Sequence, residues 1–362
     1  MLDCEVLELV DESLGLLGWI AVVPSARQLF FGGTRVSPGV SAEEVCELAR
    51  SMHCKLLAHG LPTGGAKAGL IADPGAPDIL ERAEAFGRAA AGLLTERVVL
   101  GKDMGASDAL MEAIYRGVGV PQLYLVQQAS QADDCPERIG DLSGYRPHMT
   151  GLGVSWACSA ARPGGLEGAE AYIQGCGVVG LGTAVRLAEN GCRVLGMSDV
   201  SGARVWSAGV TRKGFSEAQP SAGVAHLDFP GFRALSSADD LLAQRGDLLV
   251  LAASSSCVDA RLAQTIVSPI VVEGANFALT PGAREVLYER EIVVVPDLIA
   301  SSSSAALVAH QLAAGNTADP AAVWKSIEVS IRGSVSSARA MAGEAGRSLR
   351  WAYLEGNLER YQ

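Results

Sequence analysis

Two lysines and one aspartate stand where an ordinary surface charge has no obvious place. Residues 61–70 read LPTGGAKAGL, with Lys67 in a run of small and apolar residues, behind a glycine pair and just before Gly69. Taken alone, the stretch reads as a turn with a solvated lysine, the usual fate of that residue. It is not a P-loop: the Gly-x-x-x-x-Gly-Lys-Ser/Thr spacing is absent and Ala68 offers no hydroxyl. Lys55 lies nearly one helical turn after Met52, which puts it on a helix's apolar face; a lysine snorkelling at the helix end reads the same way. Asp103 follows the apolar stretch 97–100, so it sits in the loop beyond a strand's carboxyl end. A turn or capping aspartate would occupy such a place too. The chemistry open to these groups is specific. A lysine kept from water has a lowered pKa and takes protons near neutrality. An aspartate beside it can shuttle protons, and a second lysine can fix a carboxylate as a point charge.

A second set of residues suggests a ligand. In AYIQGCGVVGLGTAVRLAENGCRVLGMSDVSGA, from 171 onward, Gly175, Gly177 and Gly180 fit G-x-G-x-x-G. They follow an apolar strand and open a helix. Asp199 ends the next strand, roughly 20 residues on, at the spacing of a dinucleotide fingerprint. The first glycine permits the turn. The second lets backbone approach a pyrophosphate that the helix N-terminus favours. Asp199 would accept from an adenosine ribose and repel a 2′-phosphate, which favours NAD over NADP; Arg204, Ser198 and Ser201 temper that preference.

The elements that must position these groups follow from period and caps. Residues 5–10 read as helix or strand, 18–24 as a strand, and QLFF (28–31) leads into a turn at GGTR (32–35). Ser41 with Glu44 makes a capping box for a helix carrying Val45, Leu48 and Met52 and ending by Gly60. ILERAEAFGRAAAGLL (79–94) is an amphipathic helix, and another is capped near Ser107. The polar stretch after about 130 reads as a connecting loop and 150–162 as a helix. Strands follow at 247–254, 270–276 and 292–300, each ending in small or polar residues, and the chain is helical after Pro320. Hydrophobic residues make up 49 % and charged residues 19 %, with 42 glycines and few aromatics, a balance that favours an α/β protein of about two domains. The net charge of −11 argues against a nucleic-acid footprint. No apolar run is long enough for a membrane helix, and the acidic start lacks a signal peptide's basic region. The 8 cysteines form no C-x-x-C pair and read as reduced residues of a cytoplasmic protein, without a disulfide frame; neither they nor the histidines show metal-ligand spacing, so no metal is expected.

Together the landmarks resemble the glutamate/leucine/phenylalanine/valine dehydrogenase family. GGTR, SMHCK (51–55), GLPTGGAKAGL (60–70) and GKDMGAS (101–107) match its N-terminal domain in order. TGLGV, IQGCGVVG, VSGA, EGAN (273–276) and VVPDLIA (294–300) match its nucleotide domain. The resemblance implies an N-terminal α/β substrate and oligomerisation domain over 1–140, a Rossmann-type NAD-binding domain over 141–315 with the active cleft between them, and C-terminal helices over 316–362 packing back toward the first. It implies oxidative deamination of an amino acid to its 2-oxo acid and ammonia, with NAD as cofactor (NADP also admissible), in a cytoplasmic homo-oligomer with no nucleic-acid or membrane partner.

Carried over residue by residue, Lys67 and Asp103 would be catalytic. Lys55 would bind the α-carboxylate, with Met52, Phe31, Gly32, Gly33, Ser301 and Val308 lining the substrate site. Thr150, Gly175, Cys176, Gly177, Val178, Val179, Gly180, Asp199, Val200, Ala253, Ser254 and Asn276 would hold the cofactor. Glutamate-specific members place a lysine before the GG of GGTR and a serine in the segment after PDILA; here those positions are Phe31 and Val308. A glutamate side chain would lack its partners, so an apolar or aromatic amino acid is expected. Three departures stand out: Leu56 where the family has Asn, LAAS (251–254) for PCA, and SSSS (301–304) for NAGG. They admit two other readings: a divergent member with an unusual amino, imino or non-amino substrate, or a non-catalytic NAD-binding subunit.

Overall fold

The computed structural model describes residues 2–25, 29–61, 63–121, 149–210, 215, 223–314 and 319–358. The polar loop read after about residue 130 lies outside the described residues. The chain divides into two units. One comprises Met1–Leu142, Ala305–Trp324 and Arg360–Gln362; the other comprises Ser143–Ser304 and Lys325–Glu359.

The first unit is built on a five-stranded sheet of order β1-β2-β4-β3-β5. Its strands are β1 (Glu5–Asp11), β2 (Gly15–Val22), β3 (Leu29–Val36), β4 (Thr63–Leu70) and β5 (Val98–Lys102). β3 runs parallel to both β4 and β5, whereas β2 is antiparallel to β1 and to β4. A helix, α1 (Ala42–Leu57), makes the crossover from β3 to β4. Ser41 caps it by accepting from the Glu44 N–H, so that half of the capping box forms. The Glu44 carboxylate turns to Arg35 instead.

Two local readings are corrected. GGTR is not a turn: β3 passes straight through it. LPTGGAKAGL is not a turn with a solvated lysine: β4 spans 63–70 and all of it is buried. Glycine in a strand reads as punctuation when taken alone. Here it lets neighbouring backbone come close, since a Cβ on Gly32 would collide with the Ala66 carbonyl and one on Gly65 with the backbone of His53. The stretch 79–94 forms α2 (Ile79–Ala89) and α3 (Ala91–Glu96), broken where Ala90 relaxes to φ −95°. With α4 (Asp108–Val118), capped by Ser107, α2 covers the opposite face of the sheet, packing Phe86 and Ile114 with Phe30, Ala66, Leu70 and Leu100.

The second unit holds a seven-stranded sheet of order β12-β11-β10-β6-β7-β8-β9. Five strands are parallel: β6 (Glu170–Gln174), β7 (Arg193–Asp199), β10 (Leu248–Leu251), β11 (Ile270–Glu273) and β12 (Val293–Val295). β8 (Gly202–Val210) and β9 (Phe232–Ala234) extend the sheet in antiparallel fashion. Helices α5 (Met149–Ala161) and α6 (Val178–Glu189) flank β6. Further along come α7 (Ala260–Ala263), α8 (Pro281–Glu289), α9 (Asp297–Ala300), α10 (Ser303–Ala314), α11 (Pro320–Ala345) and α12 (Leu349–Leu358); of these, α10 from Ala305 onward and the first turn of α11 group with the first unit. No described helix is long and apolar enough to cross a membrane.

One cysteine reading also changes. Cys4 and Cys46 are joined as a disulfide, their Cα atoms 6.1 Å apart. The pairing brings the approach to β1 against α1, a tertiary juxtaposition that no spacing motif announces. Cys54, Cys158, Cys176, Cys192 and Cys257 are free thiols.

Two outcomes follow from this packing. Gly65→Ala forces α1 off β4 and is expected to cost about 3 kcal/mol in urea unfolding. His59, just beyond α1, is half-buried; desolvation, with the charge of His310 a lesser cause, holds its imidazole down at about 4. It is neutral in the fold, while the unfolded chain protonates near 6.5. Stability is therefore expected to fall as pH drops from 6.5 through 4, by up to about 3 kcal/mol. His59→Gln should flatten that segment of a stability–pH curve.

Candidate functional site

Alternation along three neighbouring strands assembles the site in the first unit. Phe31, Gly33 and Arg35 share one face of β3. In register beside them are Gly65, Lys67 and Gly69 on β4, and Val99 and Gly101 on β5, after which Asp103 begins the loop. α1 lies on this face, where Gly65 and Gly69 admit it and where the Gly65 N–H donates to His53 Nδ1 at 3.1 Å. Beside Lys67 the face is bare backbone. A Cβ on Gly33 would stand 2.8 Å from Asp103 Cβ and 3.3 Å from Lys67 Nζ.

Charge is concentrated at that bare patch. Lys67 is 3 % exposed, and its Nζ is 2.6 Å from Asp103 Oδ2. Arg35, also buried, reaches the same oxygen at 3.3 Å and pairs with Glu44 at 2.6 Å. Burial pushes the Lys67 ammonium below the usual lysine range, Asp103 pulls it back up, and Arg35 lowers it again. Burial works against the Asp103 charge, but Lys67 and Arg35 outweigh it and hold the carboxyl at about 2. The result is a carboxylate facing an ammonium whose proton is loosely held, a pair equipped for proton transfer.

An apolar cluster in the same unit gathers Phe31, Met52 and Val308 from the residues expected to line a substrate site. Phe31, Leu56, Leu61, Val99, Ala305, Ala309 and Leu312 pack together, with Met52 and Val308 half-buried against them. Leu56, a departure from the family pattern, thus lines the same wall as Phe31. Lys55 is buried one residue before it, in the last turn of α1.

In the second unit β6 lies between β7 and β10, so the strand order reverses at its carboxyl end, where open α/β sheets bind ligands. The three glycines differ in what surrounds them. Gly175, at φ +106°, passes against Ala252, and Gly180 lies on the Gly175 carbonyl. Gly177 caps α6 with nothing within 4 Å of where its Cβ would be. That open approach to a helix N-terminus fits a dinucleotide's pyrophosphate. Val178 and Val200 are exposed, Val179 is half-buried and Cys176 is buried; Ala253 and Ser254 are exposed beyond β10, and Asn276 is half-buried beyond β11. The Asp199 carboxylate is already engaged. Oδ1 accepts from the Ser201 N–H and hydroxyl, and Oδ2 from the Val224 N–H.

The serine run folds back on its surroundings. Ser301 and Ser302 donate to the carbonyls of Asp297 and Ile299, Ser303 to that of Met149, and Thr150 meets Ser304 at 3.3 Å. Ser301 groups with the second unit, whereas Val308 joins the first. Two sets of residues escaped the sequence reading. Arg35 and Glu44 were seen only as parts of a motif and a cap, although the two-residue spacing from Gly33 puts Arg35 on the Lys67 face. Glu273 and Asp297, both fully buried, pair with Arg284 at 2.9 Å and Arg350 at 2.6 Å; Asp297 also accepts from the Phe277 N–H and so braces the loop that carries Asn276.

Comparison with known proteins matches both domains. Residues 143–354 match the family model described as Glutamate/Leucine/Phenylalanine/Valine dehydrogenase, and residues 7–118 match Glu/Leu/Phe/Val dehydrogenase, dimerisation domain. An NADP-specific glutamate dehydrogenase of Saccharolobus shibatae is 30 % identical over 294 residues, covering 79 % of this chain and 68 % of its own. An NAD-specific glutamate dehydrogenase of Staphylococcus aureus is 32 % identical over 278 residues, covering 75 % and 66 %. The chain thus spans about two thirds of the length of these relatives. The solved hetero-hexameric glutamate dehydrogenase from Thermus thermophilus, in a Leu-bound form, is 28 % identical with a TM-score of 0.75 over 100 % of this chain and 88 % of its own. The L-tryptophan dehydrogenase from Nostoc punctiforme, 18 % identical with a TM-score of 0.68 over 99 % and 95 %, shares the fold. With both domains matched and a nicotinamide dinucleotide the cofactor of its relatives, the chain belongs to the Glutamate/Leucine/Phenylalanine/Valine dehydrogenase family, NAD(P)-dependent oxidoreductases acting on the CH–NH2 group of amino acids.

Proposed function

We propose that the chain catalyses the reversible NAD-dependent deamination of an apolar or aromatic L-amino acid, with Lys67 and Asp103 as the acid–base pair. The observation that carries this reading is the buried Lys67–Asp103 contact beside bare glycine backbone. A bound nicotinamide would supply the hydride acceptor for the substrate Cα, and the substrate iminium so generated is what this chain's residues then handle. Lys67 Nζ then takes a proton from the attacking water, and the ammonium it becomes stabilises the carbinolamine oxygen. Asp103 relays the proton gained by Lys67 to the departing amine, and Lys67 takes the carbinolamine hydroxyl proton as the C–N bond breaks with release of ammonia. Lys55 fixes the α-carboxylate as a point charge.

The apolar preference is supported by the company Phe31 keeps. Phe31, Leu56, Met52 and Val308 belong to one apolar cluster, and a glutamate carboxylate placed against it would be desolvated without a partner. NAD over NADP is supported by the Asp199 charge and by the engagement of Arg204. That guanidinium donates to the Leu227 carbonyl, reaches Asp228 at 3.5 Å and stacks over Phe232, which leaves it poorly disposed to a 2′-phosphate. Thr150, the three glycines, Asp199 and Asn276 would hold the dinucleotide. We further take the protein to act as a homo-oligomer, in keeping with the domain type matched by residues 7–118.

NADH formation across a panel of L-amino acids, and its reversal with 2-oxo acids and ammonia, tests the assignment. Apolar substrates are expected to exceed glutamate in kcat/KM by about 100-fold or more, and Lys67→Ala or Asp103→Asn to abolish turnover while dinucleotide affinity persists. Dinucleotide binding with no turnover on any substrate would favour a non-catalytic subunit. The double variant Phe31→Lys, Val308→Ser is expected to lower kcat/KM for the apolar substrate by at least about tenfold and to raise it for glutamate. An unchanged preference would remove these side chains from the specificity pocket.

A further inference from the structure

The Lys67–Asp103 pair is only half of a charged row. Glu44, on α1, is 2.6 Å from Arg35 on β3; Arg35 is 3.3 Å from Asp103; and Asp103, beyond β5, is 2.6 Å from Lys67 on β4. Four charges of alternating sign, each from a different element, close on one another across a sheet face; the two cations are buried, while Asp103 and Glu44 keep partial access to solvent. We propose that Arg35 and Glu44 are positioning residues for the acid–base pair: Arg35 shares the Asp103 carboxylate so that Lys67 can give up its proton, and Glu44 sets how much of the Arg35 charge reaches them. This rests on the reading of Lys67 and Asp103 as the acid–base pair.

A lysine and an aspartate alone, buried at this distance, would settle as a closed ion pair, and the lysine would remain protonated. Arg35 changes the balance by competing for the same oxygen, Asp103 Oδ2. Its guanidinium keeps a fixed charge and is itself buried, so its charge acts on both partners with little screening. It holds Asp103 ionised and opposes the Lys67 ammonium. Glu44 is the counterweight. It sits in the first turn of α1, free of a complete capping box, and points its carboxylate at Arg35. Without Glu44 the full Arg35 charge would bear on the pair. Without Arg35, Lys67 would face Asp103 uncontested.

The other charged groups near this face are few. α1 also carries Glu43 and Glu47, both exposed, Arg50, which donates to the Leu2 carbonyl, His53, engaged with the Gly65 N–H, and Lys55 in its last turn. Lys102, at the end of β5, pairs with Asp108, and β2 has no charged residue. The opposed effects of Arg35 and Glu44 are therefore separable from the background.

The chain's lysines are Lys55, Lys67, Lys102, Lys213 and Lys325, few enough to titrate individually by 13Cε NMR, with the Lys67 signal identified by its loss in Lys67→Met. Arg35→Gln is expected to raise the Lys67 midpoint by about one pH unit or more, and Glu44→Gln to lower it. Arg35→Lys, which keeps the charge, should leave it near the wild-type value. The acid limb of kcat/KM against pH should move in the same directions. Shifts in the same direction, or none, overturn the proposal, because loss of a merely structural contact has no reason to give opposite signs. If Arg35→Gln fails to fold, Glu44→Gln and Arg35→Lys decide: an unmoved midpoint in the first, or one raised as far as uncharged substitution predicts in the second, overturns it. Opposed midpoint shifts in a protein that turns over no amino acid would uphold the charge row and refute the assigned reaction.

Discussion

A buried ammonium is the constraint around which the first unit is arranged. Lys67 occupies β4, an interior strand with neighbours on both sides, and a lysine there is costly unless a carboxylate meets it and backbone makes room for it. Asp103 supplies the charge. Gly33, Gly65 and Gly69 supply the room, two by admitting α1 and one by leaving open sheet beside the Nζ. Arg35 and Glu44 complete a row in which cations and carboxylates balance. The apolar wall of Phe31 and Val99, with Leu56 brought to it by α1, adjoins this row on the same sheet face, which joins a polar end to an apolar end, the division an amino acid itself has.

The second unit solves a different problem, holding loops at the ends of parallel strands. Its means are buried carboxylates with arginine partners. Glu273 ends β11 and Asp297 opens α9 just beyond β12, and both are fully buried; burial and the nearby Asp297 charge push the Glu273 carboxyl up. Arg284 and Arg350 answer them from α8 and α12. Between these pairs the chain makes the tight passage through Phe277, at φ +50°, that presents Asn276. A helix near the carboxyl end of the chain thereby braces a loop in the nucleotide domain.

Much of this was legible in the residues. The glycine fingerprint, the acid that follows it and the apolar strands fixed the second unit's parallel core, because each signal is local. The Lys55 placement was legible from helical period alone. What could not be read was whatever depends on a neighbour distant in the chain. GGTR and TGGAKAG look like turns until the strand beside each is known, since glycine signals both a bend and a close approach. The antiparallel β8 and β9 carry weak alternation and are recruited by the β7 edge. Cys4 and Cys46 meet only through tertiary packing. Arg35 was visible as a letter in a motif, but its role depends on α1 lying over β3.

The crossover from β3 through α1 to β4 has a consequence for how the unit holds together. Gly33, Arg35, Glu44, Lys55 and Lys67 all belong to that one segment, and among the salt-bridged groups of the row only Asp103 comes from outside it, carried in by β5. A chain that forms the crossover without docking β5 is left with more buried cation than carboxylate. Partly assembled forms are therefore penalised electrostatically, and the last parallel strand is drawn in by charge as well as by its apolar residues. The groups disposed to move protons in the finished protein thus also make its assembly cooperative.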